Sequence, residues 1–119
     1  MNMFPTTVAP DNVLSDRFRV HLVIGDGMAP SLRSNYDYVI LKPTEEWCGE
    51  GIYLMHNGVG PDLYRLQSWG GGKLLMKHDN PIYDAHHVLT LDQFRENVLG
   101  YVVADIKVRD ERAIREAAR

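Results

Sequence analysis

Between positions 18 and 108 the chain is cut into short β-rich runs by glycine, proline and asparagine turn signals, so layered strands rather than packed helices must carry the core. Phe18-Arg19-Val20-His21-Leu22-Val23-Ile24 alternates at first and then turns wholly apolar just before Gly25-Asp26-Gly27. Tyr38-Val39-Ile40-Leu41 is closed by Pro43, and Gly51-Ile52-Tyr53-Leu54-Met55 ends at the turn signals Asn57-Gly58 and Gly60-Pro61. Leu63-Tyr64-Arg65-Leu66-Gln67 is followed by Trp69 and three consecutive glycines that force a reversal into Lys73-Leu74-Leu75-Met76-Lys77. Residues 98–108 give a long final strand, with Tyr101 and Val103 among its β-formers. Short helices are predicted at 30–33, opening at Pro30, and at 91–97. The sum is a mainly β domain, a barrel-like or folded-over sheet with one or two short helices.

At 119 residues the chain is one domain, long enough for a single core but not for two. Residues 1–17 hold Pro5 and Pro10 with little periodicity and read as an arm or linker, 18–108 as the β domain, and 109–119 as a polar, solvated helical or disordered tail. In that tail Glu111 and Arg115 stand at a favourable i, i+4 spacing. A net charge of −3 with scattered basic residues disfavours direct nucleic-acid binding. The single cysteine, Cys48, cannot form an intramolecular disulfide and reads as a packing residue in a reducing compartment. The longest apolar run, residues 20–24, is broken by His21 and is far short of a membrane span, and no signal-peptide pattern opens the chain, so a cytoplasmic location is expected.

The stretch Gly25-Asp26-Gly27-Met28-Ala29-Pro30-Ser31-Leu32 resembles the nucleophile loop of the LexA-like family of self-cleaving repressors and polymerase subunits, in which a serine follows Gly-Asp. Here that serine position is Gly27. Further pieces resemble the family in order: Tyr36-Asp37-Tyr38-Val39-Ile40-Leu41, Gly49-Glu50-Gly51-Ile52-Tyr53-Leu54, Leu63-Tyr64-Arg65-Leu66, Asp79-Asn80-Pro81-Ile82-Tyr83 and Leu99-Gly100-Tyr101-Val102-Val103. The resemblance implies a signal-peptidase-like folded sheet or partial barrel. It also implies a serine activated by a neutral lysine, and the lysine position falls on Tyr64. A phenol titrates near ~10 and is a poor base at neutral pH. The family's Ala-Gly or Cys-Gly scissile bond is also missing upstream of Gly27, where Val8-Ala9-Pro10 is the nearest small-residue site.

Replacements for the lost chemistry are weak. Ser31 reads as a helix-opening or turn-capping hydroxyl, Ser34 lies seven residues past Gly27, Arg65 stays protonated, and Lys73 and Lys77 are expected to face solvent. His86-His87, with His78 and Asp84 nearby, could be imagined as metal ligands. Adjacent strand positions point to opposite faces, however, and solvated loop histidines are the better reading, with no metal or cofactor expected.

The resemblance therefore implies a pseudo-peptidase that binds rather than cleaves. Its vestigial dyad positions are Gly27 and Tyr64, within a cleft formed by Gly25, Asp26, Gly27, Met28, Tyr64 and Arg65. The closing strand, through Val98, Gly100, Tyr101, Val102 and Val103, is expected to act as an exposed edge that pairs two copies. Homodimerisation, or binding of a transcriptional regulator or its peptide segment in a phage or mobile element, is the expected role. The alternative is a self-cleaving serine peptidase whose dyad is misaligned or mutated.

Overall fold

The computed structural model describes residues 7–118, so Met1 to Thr6 of the expected arm lie outside the described residues. After a 3-10 turn at Pro10–Asn12 come β1 (Arg19–Leu22), β2 (Tyr38–Pro43), β3 (Gly51–His56), β4 (Pro61–Gly70), β5 (Lys73–Lys77) and β6 (His86–Thr90). Helix α1 (Leu91–Asn97), β7 (Val98–Ile106) and helix α2 (Glu111–Ala117) complete the order. The strands form one antiparallel sheet in the order β1-β2-β7-β3-β4-β5-β6. The mainly β expectation holds.

Strand periodicity splits the core between the two faces of this sheet. On β3, Leu54 joins Val23, Met28, Leu32, Val39, Leu41 and Leu63 on one side, whereas Tyr53 and Met55 join Tyr64, Leu66, Leu74, Phe94 and Val98 on the other. The segment after β1 covers the first cluster, contributing Val23, Met28 and Leu32. Helix α1 covers the second through the fully buried Phe94. A capping box fixes where α1 starts: the Thr90 hydroxyl accepts from the Gln93 N–H at 3.1 Å, and the Gln93 side chain accepts from the Thr90 N–H at 2.9 Å. Phe94 then meets Tyr53 edge-on at 5.3 Å, and Trp47 stacks on Tyr53 at 5.3 Å.

Several boundaries differ from the sequence reading for local reasons. Strand β1 stops at Leu22: the Val23 N–H still reaches the in-register Asp37 carbonyl, but the return bond is lost, because the Val23 carbonyl accepts from Asn35 and the Asp37 N–H donates to the Arg33 carbonyl. Residues 30–33 form turns rather than a helix. Strand β4 runs on to Gly70, past an irregularity between Ser68 and Gly70, and the reversal falls on Gly71 and Gly72 at φ of 62° and 74°. Strand β6 was not expected; its first three residues, His86, His87 and Val88, are exposed, and pairing with β5 rather than burial organises them. Helix α2 is capped by Asp110, carries the Glu111–Arg115 pair at 3.3 Å and buries no residue, in keeping with a solvated tail.

The closing strand is the main correction. β7 lies inside the sheet, with Gly100–Ile106 against β2 and Val98–Tyr101 against β3, so it is not an edge strand. Val98 and Gly100 are buried there, and Tyr101 packs against Tyr53 at 4.9 Å. Its apolar alternation serves both faces of the sheet, and its backbone groups are used by two neighbours. The outer strands are β1 and β6. Beyond Tyr101, β7 pairs with β2 alone, which leaves Val102 and Val103 on a stretch bonded on one side.

Asp37 ties the covering segment to the end of β7. Its carboxylate is fully buried and accepts from the Arg33 N–H at 2.8 Å, the Arg33 guanidinium at 2.8 Å, the Lys107 ammonium at 3.2 Å and the Val108 N–H at 3.4 Å. The Arg33 hydrogen bonds, aided by Lys107, hold this carboxyl well below its ordinary value of 3.8 against the opposing effect of burial. A depressed folded-state value means the stabilisation is complete above about pH 4 and drains away as pH falls further. Asp37→Ala should lower stability by about 1–3 kcal/mol, since it leaves the Arg33 and Val108 N–H donors without their acceptor and removes the shared partner of two half-exposed cations. Urea midpoints at pH 7, 5 and 3 should be flat for the native chain down to pH 5 and then fall; the variant should lose much of that acid-side drop.

Candidate functional site

The loop at residues 25–28 is shaped by its own backbone and held by a turn from across the sheet. Gly25 adopts φ 84°, a left-handed conformation that favours glycine, and its N–H donates to the Ser34 hydroxyl at 2.8 Å. The turn at 79–83 grips this loop. Asn80 donates its backbone N–H to the Gly27 carbonyl at 2.8 Å and its side-chain amide to the Asp26 carbonyl at 2.9 Å. The Tyr83 hydroxyl donates to Asp26 Oδ1 at 2.6 Å, and this hydrogen bond pushes the phenol above its ordinary value. Arg65 fastens the turn from below with a two-pronged pair to Asp79, Nε to Oδ1 at 2.6 Å and Nη2 to Oδ2 at 2.7 Å. That guanidinium holds the Asp79 carboxyl below its usual range.

This grip sets His78 beside Gly27. A Cβ at position 27 would lie 2.6 Å from His78 Cδ2 and 3.0 Å from its Nε2. Gly27 is thus required by the space the imidazole occupies, not by a left-handed backbone. On its other side His78 stacks on Tyr64, with ring centroids 4.5 Å apart, and its Nε2 lies 3.1 Å from Asp62 Oδ2. Tyr64 is buried, and its hydroxyl accepts from the Asn57 side-chain amide at 3.1 Å. Gly27 and Tyr64 are therefore brought to one place, with the His78 ring between them.

The nearby hydroxyls are engaged. Ser31 Oγ donates to the Met28 carbonyl at 2.7 Å, and Ser34 Oγ accepts from Gly25. The ring presents Cδ2 first and Nε2 second to position 27, and Nε2 is also the nitrogen that faces Asp62, so the ring as placed cannot relay a proton from one to the other.

A cleft of about 530 Å³ opens above this stack. One wall is β1 and the glycine loop, with His21, Ile24 and Asp26; the other is the β3–β4 hairpin tip, with Val59 and Asp62, and Tyr83 lines it as well. Burial holds His21 below its ordinary value of 6.5, favouring the neutral ring. Of the residues expected here, Gly25, Asp26 and Gly27 line the cleft. Met28 is instead a core side chain, 2% exposed. Tyr64 faces a second, smaller cavity behind His78 with Met76, Ile82 and Tyr83. Arg65 is committed to Asp79 and borders a shallow groove with Ile52, Val102 and Val103.

His78, Asp62, Asn80 and Tyr83 complete the site without having been singled out for it from sequence. The Asp79-Asn80-Pro81-Ile82-Tyr83 run was visible as a turn, but its grip on the loop 54 residues earlier in the chain is a tertiary contact. From sequence His78 reads as a metal ligand or, preferably, a solvated loop histidine; its ring is instead largely buried against Tyr64 and partnered by Asp62. Among the described residues no three His, Cys, Asp or Glu side chains gather to hold a metal. His86 and His87 pair with Lys77 and Met76 on β5. No family model and no curated protein matches this chain.

The Gly27–His78 contact should be visible as energetic coupling. Gly27→Ala is expected to destabilise by about 1–3 kcal/mol through overpacking. In a His78→Ala background the same change should cost much less. A double-mutant cycle from urea denaturation measures this, and simple additivity would show that the imidazole does not set the limit at position 27.

Proposed function

We propose that the chain is a non-catalytic member of the LexA-like kind, a pseudo-peptidase domain that binds an extended peptide and pairs with a second copy in transcription control. The observation that carries this reading is the His78 ring lodged between Gly27 and Tyr64, beside a cleft that stays open. Position 27 has neither a hydroxyl nor room for one, and position 64 offers a buried phenol in place of an amine. The cleft carries an apolar side chain on each wall, Ile24 and Val59, and lies next to the outer strand β1, features that suit an extended segment without chemistry. The link to transcription control rests on the sequence resemblance alone.

Pairing of two copies is assigned to the one-sided stretch of β7, where Val102 is half-buried and Val103 is 41% exposed. The shallow groove beside Ile52 and Arg65 runs along it. Size-exclusion chromatography with light scattering should give twice the chain mass, and Val103→Arg should return it to a monomer. A native chain that stays monomeric at high concentration would sink the pairing.

A fluorophosphonate probe should leave the native chain unlabelled at alkaline pH; labelling of Ser31 or Ser34 would overturn the non-catalytic reading. Peptide binding is read by isothermal titration against segments of neighbouring regulators. Binding should weaken at least about tenfold when the wall is altered by Ile24→Asp with Val59→Asp.

A further inference from the structure

The acidic groups around the glycine loop fall into two classes. Asp37 and Asp79 lie away from the cleft, and each is neutralised by an arginine, Arg33 and Arg65. Asp26 and Asp62 line the cleft, and neither pairs with a lysine or arginine among the described residues. Asp62 Oδ1 accepts from the Leu63 N–H at 2.8 Å and Oδ2 faces His78, yet the side chain remains 34% exposed. Asp26 accepts the Tyr83 hydroxyl with Oδ1 and is exposed. Among the described residues no lysine or arginine lines the cleft, while its rim carries Ile24 at 65% and Val59 at 96% exposure.

From this we infer that the cleft selects an extended peptide segment of a partner protein in which a lysine or arginine is flanked by apolar residues. The inference rests on the peptide-binding reading above and adds its chemistry. Charge complementarity commits the occupant: a cation placed between Asp26 and Asp62 supplies the lysine- or arginine-type countercharge that Asp37 and Asp79 have and these two lack. Alternate residues of an extended chain lie about 6.6–6.8 Å apart on one face. One basic side chain can then reach the carboxylates while its neighbours along the strand cover Ile24 and Val59. The overall charge of −3 favours encounter with such a segment.

The test is a panel of ten-residue peptides of alternating valine and threonine with arginine, lysine, glutamine or glutamate at one central position, titrated by fluorescence anisotropy against the full chain. The arginine and lysine peptides should bind at least about tenfold tighter than the glutamine peptide, and the glutamate peptide weakest. That preference should shrink as salt rises from 50 to 500 mM. In D26N/D62N, checked for an unchanged melting transition, arginine and glutamine peptides should bind within about twofold of each other. If that variant does not fold, the native panel and its salt dependence decide. Equal binding of the arginine, glutamine and glutamate peptides overturns the charge selection and leaves the peptide cleft standing. An arginine preference that survives D26N/D62N places the selecting charge elsewhere and overturns it too. Binding of no peptide overturns both.

Discussion

Three hydrogen bonds from the turn at 79–83 to Asp26 and Gly27 decide where everything else at this end of the sheet must stand. Asn80 uses its backbone and its amide together, so the two loops approach in one register. Asp79 is kept in place by a bidentate guanidinium, the ion-pair geometry that tolerates least displacement. With 79 and 80 fixed, the preceding residue has one place to go, and His78 enters the space between Gly27 and Tyr64. The steric limit at Gly27 and one wall of the cleft are consequences of the same grip.

Much of the sheet was legible in the sequence because strand periodicity and turn chemistry are local. Tyr53, Leu54 and Met55 alternate between two buried faces, and the alternation is written in consecutive letters. Helix α1 was expected at 91–97, and the Thr90–Gln93 capping box seen in the structure is what starts it. Position within the sheet was not legible. β7 has the composition of an edge that could pair two copies and equally of a strand buried between neighbours, and only the observed order β2-β7-β3 distinguishes them. β6 escaped notice for the opposite reason: His86, His87 and Val88 carry little apolar signal, and a neighbouring strand orders them. At the site, Gly25 and Gly27 were legible as a pair, yet they are glycine for different reasons. One needs a left-handed backbone, while the other lacks room.

Electrostatics divides the same region along a physical line. A carboxylate taken out of water needs a countercharge or strong donors, and Asp37 and Asp79 have both. A carboxylate that keeps contact with solvent can do without a lysine or arginine at little cost, as Asp26 and Asp62 do. Arg33 and Arg65 are thus committed to structure, and among the described residues no lysine or arginine lines the open cleft to cancel its negative character.

The arrangement at Gly27 also bears on what a nucleophile at this position would require. A serine there would meet His78 Cδ2 at 2.6 Å, so the ring would have to leave before the hydroxyl could be accommodated. Leaving breaks the stack on Tyr64, worth about 0.5–1.5 kcal/mol for an aromatic pair, and frees Asp62 from its imidazole partner. Replacing Tyr64 by lysine removes the other half of that stack and the Asn57 hydrogen bond with it. Each single step therefore costs stability before any chemistry is gained, and the three positions act as one unit. Position 27, position 64 and His78 would have to change together, because each is shaped by the volume of the other two.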